Sequence, residues 1–78
     1  NVFFFSTILA IIGEKRIIVQ LPPDSTVWDL KLEIARIYPK SDQAIRTMLT
    51  SLDQVISNDE EILKDQAKVA FFPFVSGG

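Results

Sequence analysis

Hydrophobic residues in this chain fall into blocks whose spacing changes from one block to the next. The first, Val2-Phe3-Phe4-Phe5-Ser6, is a short run of β-favouring side chains, the pattern of a strand buried on both faces. Residues 7–12 stay apolar as far as Gly13, and the pattern leaves open whether they form a short helical turn. Gly13-Glu14-Lys15 reads as a turn between the first two strands. Arg16 to Leu21 predicts the second strand, which Pro22-Pro23 ends because neither proline can donate to a ladder.

The spacing then becomes helical. Thr26 is a good N-cap, and Asp29 three positions later nearly completes a capping box, which usually carries Glu or Gln there. Val27, Leu30, Ile34 and Ile37 (or Tyr38) recur on one face, with Lys31, Glu33 and Arg36 mostly on the other. Pro39 disfavours helical geometry at Tyr38 and ends the helix there. Residues 41–47 have room for one short helical turn. Residues 48–52 and 55–56 predict two short strands joined through Asp53-Gln54, and residues 58–61 an acidic loop. Residues 63–65 lead into a turn, and Lys68 to Phe74 predicts a last, nearly wholly apolar strand with Pro73 near its end.

The first and last strands are the most apolar, so they are expected in the middle of a sheet covered on one face by the helix. That order is the outline of an α+β, ubiquitin-like β-grasp domain over residues 1–74, followed by a flexible tail, Val75-Ser76-Gly77-Gly78.

Composition narrows the chemistry. Seventy-eight residues make one domain, and 47% hydrophobic residues supply its core. Six phenylalanines exceed what so small a core requires, so some are expected to face a partner. With no cysteine and no histidine, a disulfide scaffold, the usual zinc sites, a thiol nucleophile and the commonest general base are all excluded. A net charge of −2 without a basic patch gives no support to nucleic-acid binding. The apolar opening lacks the flanks of a signal peptide and is too short to span a bilayer, so a cytoplasmic location with no membrane partner is expected.

The pieces resemble a known family. The run 70–78, Ala-Phe-Phe-Pro-Phe-Val-Ser-Gly-Gly, is similar to the ending of the molybdopterin synthase small subunit. Residues 2–6 and Ile11-Ile12-Gly13 resemble that family's opening, Thr26-Val27 with Asp29-Leu30 its helix start, and Tyr38-Pro39 its helix exit. The chain departs from the family at Gln66, where a glycine is usual, and at Leu9, Ala10, Asp53 and Phe74.

The resemblance implies a sulfur carrier. The terminal carboxylate of Gly78 would be the reactive group, adenylated by a ubiquitin-activating-type adenylyltransferase and converted to a thiocarboxylate with a sulfurtransferase. The sulfur would pass to a pterin precursor inside the synthase large subunit. No catalytic residue is expected in the chain itself, which would be a non-catalytic subunit and sulfur donor. No metal or bound cofactor is expected either; the acyl-adenylate and thiocarboxylate are covalent states of the chain. Gly77 and Ser76 would be needed for insertion, since glycines do not obstruct a narrow channel, and five extended residues reach about 15 Å. By the same resemblance Phe5, Ile56, Phe72, Phe74 and Val75 are the expected partner interface.

Plainer readings stand beside these. A Gly-Gly ending can be an incidental tail. Trp28 reads as a packing residue, Asp59-Glu60-Glu61 as a solvated loop, Lys64 and Lys68 as surface lysines, and Ser76 has no base to activate it. A carrier for another product (thiamine, a thiolated tRNA), a ubiquitin-like protein modifier, and a β-grasp binding domain that carries nothing are the competing functions.

Overall fold

The computed structural model describes residues 2–73, with Ser6 described by its backbone alone. Strand β1 (Val2–Phe4) leads through helix α1 (Ser6–Ile12) to β2 (Arg16–Ile17). Helix α2 (Val27–Ile37) is followed by a 3-10 turn (Pro39–Ser41) and helix α3 (Asp42–Arg46). A hairpin of β3 (Leu49–Leu52) and β4 (Val55–Ser57) precedes β5 (Val69–Phe72).

The five strands form one sheet in the order β2-β1-β5-β3-β4. The two most apolar strands lie inside the sheet, as expected; they are neighbours and run parallel, with Val2 opposite Val69 and Phe4 opposite Phe71. All other pairs are antiparallel. One mixed sheet with a main helix across one face is the ubiquitin-like β-grasp fold. The core lies between them, built on Phe4 and Phe71 with Ile8, Leu30, Ile34 and Ile45. The Phe4 and Phe71 rings stack at 6.2 Å.

Two strands differ from the sequence pattern. The first is buried on one face only: Val2 and Phe4 are buried, while Phe3 on the other face is half-buried. The second is cut from Leu21 back to Ile17.

The α2 capping box is complete despite its aspartate. Thr26 N donates to the Asp29 carboxylate at 2.9 Å, and Asp29 N donates to Thr26 Oγ1 at 3.2 Å. The next two amides of α2, Val27 and Trp28, donate to the carbonyls of Glu61 and Asp59. The helix start is therefore held by its own box and by the acidic loop. Val27, Leu30 and Ile34 are buried as their spacing implies. At the C-terminal end Tyr38 packs on the core while Ile37 stays exposed.

Lys31 departs from expectation. It is buried, 2% exposed, rather than on the solvent side. Its ammonium donates to Met48 O at 2.9 Å and Arg46 O at 3.4 Å and pairs with Asp59 at 2.9 Å. Consequently Asp59 is not simply a solvated loop residue; it anchors its loop to α2.

The remaining turns follow from local chemistry. The stretch left open in the sequence is a helix, and Gly13 closes it at φ 84°, its amide bonded to Leu9 O. The polar stretch 41–47 forms more than one turn, from the 3-10 turn into α3. Asp53 and Gln54, at φ 48° and 73°, form the two-residue hairpin turn, a mirror-image type that matches strand twist. Gln66 takes φ 66°, the left-handed conformation that a glycine would accept freely. The turn before β5 thus holds a non-glycine residue at positive φ.

Candidate functional site: the open face of the sheet

The helices cover one face of the sheet. Side chains alternate along each strand, so residues next to the core positions Phe4, Thr50 and Phe71 stand on the other face. The register then fixes which of them are neighbours. Phe3 lies opposite Ala70, Ala70 opposite Ser51, and Ser51 opposite Ile56, giving one row across four strands. One pleat further along, Phe72 lies opposite Leu49. Phe5, just past the end of β1 with an extended backbone, lays its ring on Phe72 with centroids 5.4 Å apart and planes within 5°.

Phe5 is 46% exposed and Ile56 64%; Phe72 is half-buried. A stacked pair gains about 0.5–1.5 kcal/mol beyond the area it buries, so the two rings form one rigid apolar ridge. Arg16, opposite Phe3, brings a guanidinium to the β2 end of the first row. Large contiguous apolar patches on small domains are commonly interaction surfaces, which makes this face the candidate site.

Of the interface residues expected from the sequence, Phe5 and Phe72 are brought into contact. Ile56 shares their face but lies two strands from β5, beyond β3. Leu49, which stands opposite Phe72 on β3, and Phe3 were not among the expected residues. Register alone would have found Leu49, since it depends on which residue of β3 meets Phe72. Phe74 and Val75, and with them Ser76, Gly77 and Gly78, lie outside the described residues.

Among the described residues, no group of three or more acidic side chains could hold a metal ion. The resolved pKa shifts belong to Glu33 and Arg36 on α2, away from this face. Their mutual hydrogen bond holds the carboxyl below its ordinary value and the guanidinium above its own. Trp28 is half-buried beneath the Arg46 guanidinium, 5.4 Å from its ring centre, which is a packing role. Lys64 and Lys68 are exposed. Among the described residues no helix is long and apolar enough to cross a membrane.

Comparison with known proteins follows this geometry. No curated protein matches the sequence. Among solved structures, SAMP1 from Haloferax volcanii superposes with a TM-score of 0.86 at 19% identity, over 99% of this chain and 96% of that one. A protein from Pyrococcus furiosus, provisionally described as molybdopterin converting factor subunit 1, gives 0.85 at 23% identity over 95% and 94%. A complex of subunits 1 and 2 of molybdopterin-converting factor from Helicobacter pylori gives 0.65 at 20%, over 99% of this chain and 95% of the matched one. At these identities the likeness is one of fold. The sequence itself matches the ThiS family over residues 2–78, essentially its whole length. The chain therefore belongs to the ThiS family, the ubiquitin-like sulfur carriers.

Proposed function

We propose that this chain carries sulfur for molybdopterin formation as the small subunit of a molybdopterin synthase, with the Gly78 carboxylate as its working group. The observation that carries the reading is the stacked Phe5–Phe72 ridge on the open face, at the end of the strand whose sequence continues to Gly77-Gly78. A carrier needs a docking surface beside the peptide end that it delivers. The family match reaching residue 78 supports this, as does the fold shared with a protein that forms a two-subunit converting-factor complex.

In the charging step an oxygen of the Gly78 carboxylate attacks the α-phosphate of ATP in the adenylyltransferase, and diphosphate leaves. The acyl-adenylate then loses AMP to a sulfide-equivalent nucleophile from a sulfurtransferase, giving the thiocarboxylate. In the large subunit the sulfur passes to the pterin precursor and the carboxylate returns. Gly77 and Ser76 thread the end into each enzyme. The β-grasp body contributes binding through Phe5, Phe72, Leu49 and Ile56, with Phe74 and Val75 as further candidates.

A second reading has its own support, the fold shared with a small archaeal modifier protein. There the same activated acyl group would meet a lysine amine and form an amide. Intact mass after incubation with a matched activating enzyme, ATP and a sulfur donor distinguishes the two. One oxygen replaced by sulfur is expected; lysine-linked adducts in its place would favour the modifier, and no change would count against both. Phe72→Ala is expected to weaken binding to a large synthase subunit at least tenfold, as central aromatic anchors do. Unchanged affinity would remove this face from the proposal.

A further inference from the structure

Strands β2 and β4 are the two edges of the sheet. An edge strand presents backbone groups without ladder partners, and proteins guard such edges with charges, prolines or bulges. Neighbouring hydrogen bonds fix which groups each edge presents. Asp53 N donates to Lys68 O at 2.8 Å, one step beyond the Leu52–Val69 pair. Bonded pairs alternate along an antiparallel ladder, so Ser51–Ala70 and Leu49–Phe72 are the bonded pairs of β3 with β5. On its other side β3 therefore bonds through Leu52–Val55 and Thr50–Ser57. Ile56 N and O consequently point away from β3, out of the sheet. At the other edge Phe4 N donates to Lys15 O at 2.9 Å, so Phe4–Lys15 and Val2–Ile17 are bonded, and Arg16 N and O point out from β2.

The side chains on the two edges differ. A second copy of an edge strand pairs with the first antiparallel, about a twofold axis through the residue whose backbone groups point outward. That residue then meets itself across the axis. At β2 the axis would set Arg16 directly against Arg16, a like-charge pair that opposes the contact. At β4 it sets Ile56 against Ile56 on the open face, and Val55 against Ser57 on the helix side. Val55–Ser57 carries neither charge nor proline, and its flanks Gln54 and Asn58 are uncharged. Val55 is 67% exposed. With Ser57, Leu52 and the exposed Ile62 it lines part of a hollow of about 290 Å³ beside the edge.

We propose that β4 is a self-association edge, and that its occupant is β4 of a second copy of this chain, joined about a twofold axis at Ile56. The two sheets become one of ten strands. The register is set, because within β4 only Ile56 turns both backbone groups outward. Each Ile56 N donates to the Ile56 O of the other copy. The second copy is the favoured occupant because the chain supplies every match itself: an antiparallel strand, an outward donor beside an outward acceptor, and an apolar side chain that meets its own kind. Val55 of each copy enters the hollow beside Ser57 and Ile62 of the other. Charge does not oppose the contact at its centre. Asp53 approaches Asp59 of the other copy, but that carboxylate is already paired with Lys31 at 2.9 Å. A ladder of three residues is far smaller than a standard interface, so the dimer is weak and depends on concentration.

This inference goes beyond the carrier reading and does not rest on it, since the chain alone is tested. Sedimentation velocity of the 78-residue chain, from about 0.02 to about 1 mM, is expected to show a monomer giving way to a dimer and to nothing larger, because the β2 edge is guarded. Over that range exchange of the Ile56 amide is expected to slow about twofold to threefold by NMR, while the Arg16 amide on the other edge stays unchanged. Ile56→Lys puts like charges on the axis at an exposed position and is expected to weaken association at least about tenfold, whereas Ile56→Val keeps it. A chain that stays monomeric throughout would overturn the proposal. So would protection that grows at Arg16, or association that survives Ile56→Lys but is lost in Phe72→Ala, which would assign the contact to the aromatic ridge.

Discussion

Removing one buried ammonium should cost this small domain a large share of its stability. In Lys31→Met the aliphatic stem still fills its place, so the change isolates the charge and its three contacts. Lys31 is 2% exposed, and its Nζ meets Met48 O, Arg46 O and Asp59 at 2.9, 3.4 and 2.9 Å. Met48 is buried, and its carbonyl would lose a charge-assisted bond, worth about 1–3 kcal/mol when the acceptor is left unpaired. The Arg46 contact is long, and the Asp59 side chain is 40% exposed and can be hydrated, so each adds less than about 1 kcal/mol. Against these stands the relief of no longer desolvating a cation. The net expectation is a loss of about 2–3 kcal/mol, against roughly 4–12 kcal/mol for a domain of this length. At about 4–8 °C per kcal/mol the melting temperature falls by about 10–20 °C. Urea titration followed by circular dichroism reads the difference directly. A loss below about 0.5 kcal/mol would refute the reasoning, since desolvation would then cancel everything the three contacts give.

Three further outcomes are expected. Thr50 Oγ1 is buried with no hydrogen-bond partner among the described residues, so Thr50→Val should hold or raise stability by up to about 1 kcal/mol in the same titration, whereas a loss would reveal a partner for the hydroxyl. Gln54→Gly and Gln66→Gly each place glycine at positive φ and should stabilise by about 0.5–1 kcal/mol; calorimetry showing destabilisation would place the strain elsewhere. The Arg36 guanidinium depresses the Glu33 carboxyl, so this pair's contribution is present above the unfolded-state value of Glu33 and is lost as pH falls through the lower folded value. Arg36→Ala should return Glu33 to its ordinary titration by NMR, and an unchanged curve would assign the shift to another cause.

Where the fold was legible in the sequence, one strong local signal decided each element. Thr26 with Asp29 marked the start of α2, and Tyr38-Pro39 marked its end. Pleating puts Phe71 and Phe72 on opposite faces of β5, but only the resemblance pointed to Phe72 as the ring that meets a partner; the structure buries Phe71 and leaves Phe72 half-buried. Lys31 was misread because helical spacing ranks faces by polarity. It cannot see that a lysine on the flank reaches two carbonyls and an aspartate from elsewhere in the chain. At Gln66 context imposes φ 66° on a residue that local preference would keep out of it. At the candidate site, Phe5 and Phe72 could be named beforehand. Leu49 could not, since it depends on β3 and β5 meeting in one particular register.

The central strand pair carries a consequence for biosynthesis. Val2–Phe4 and Val69–Phe72 are neighbours in space but are separated by almost the whole described chain. Contacts of such long sequence separation form slowly, because a large loop must close before they reward it. On the ribosome the nascent chain can close its sheet only after β5 has emerged, so a prematurely terminated product lacks the middle of its sheet and stays open to proteolysis. Survival of the body in the cell is thereby tied to synthesis of β5, far along the chain from the strand it completes.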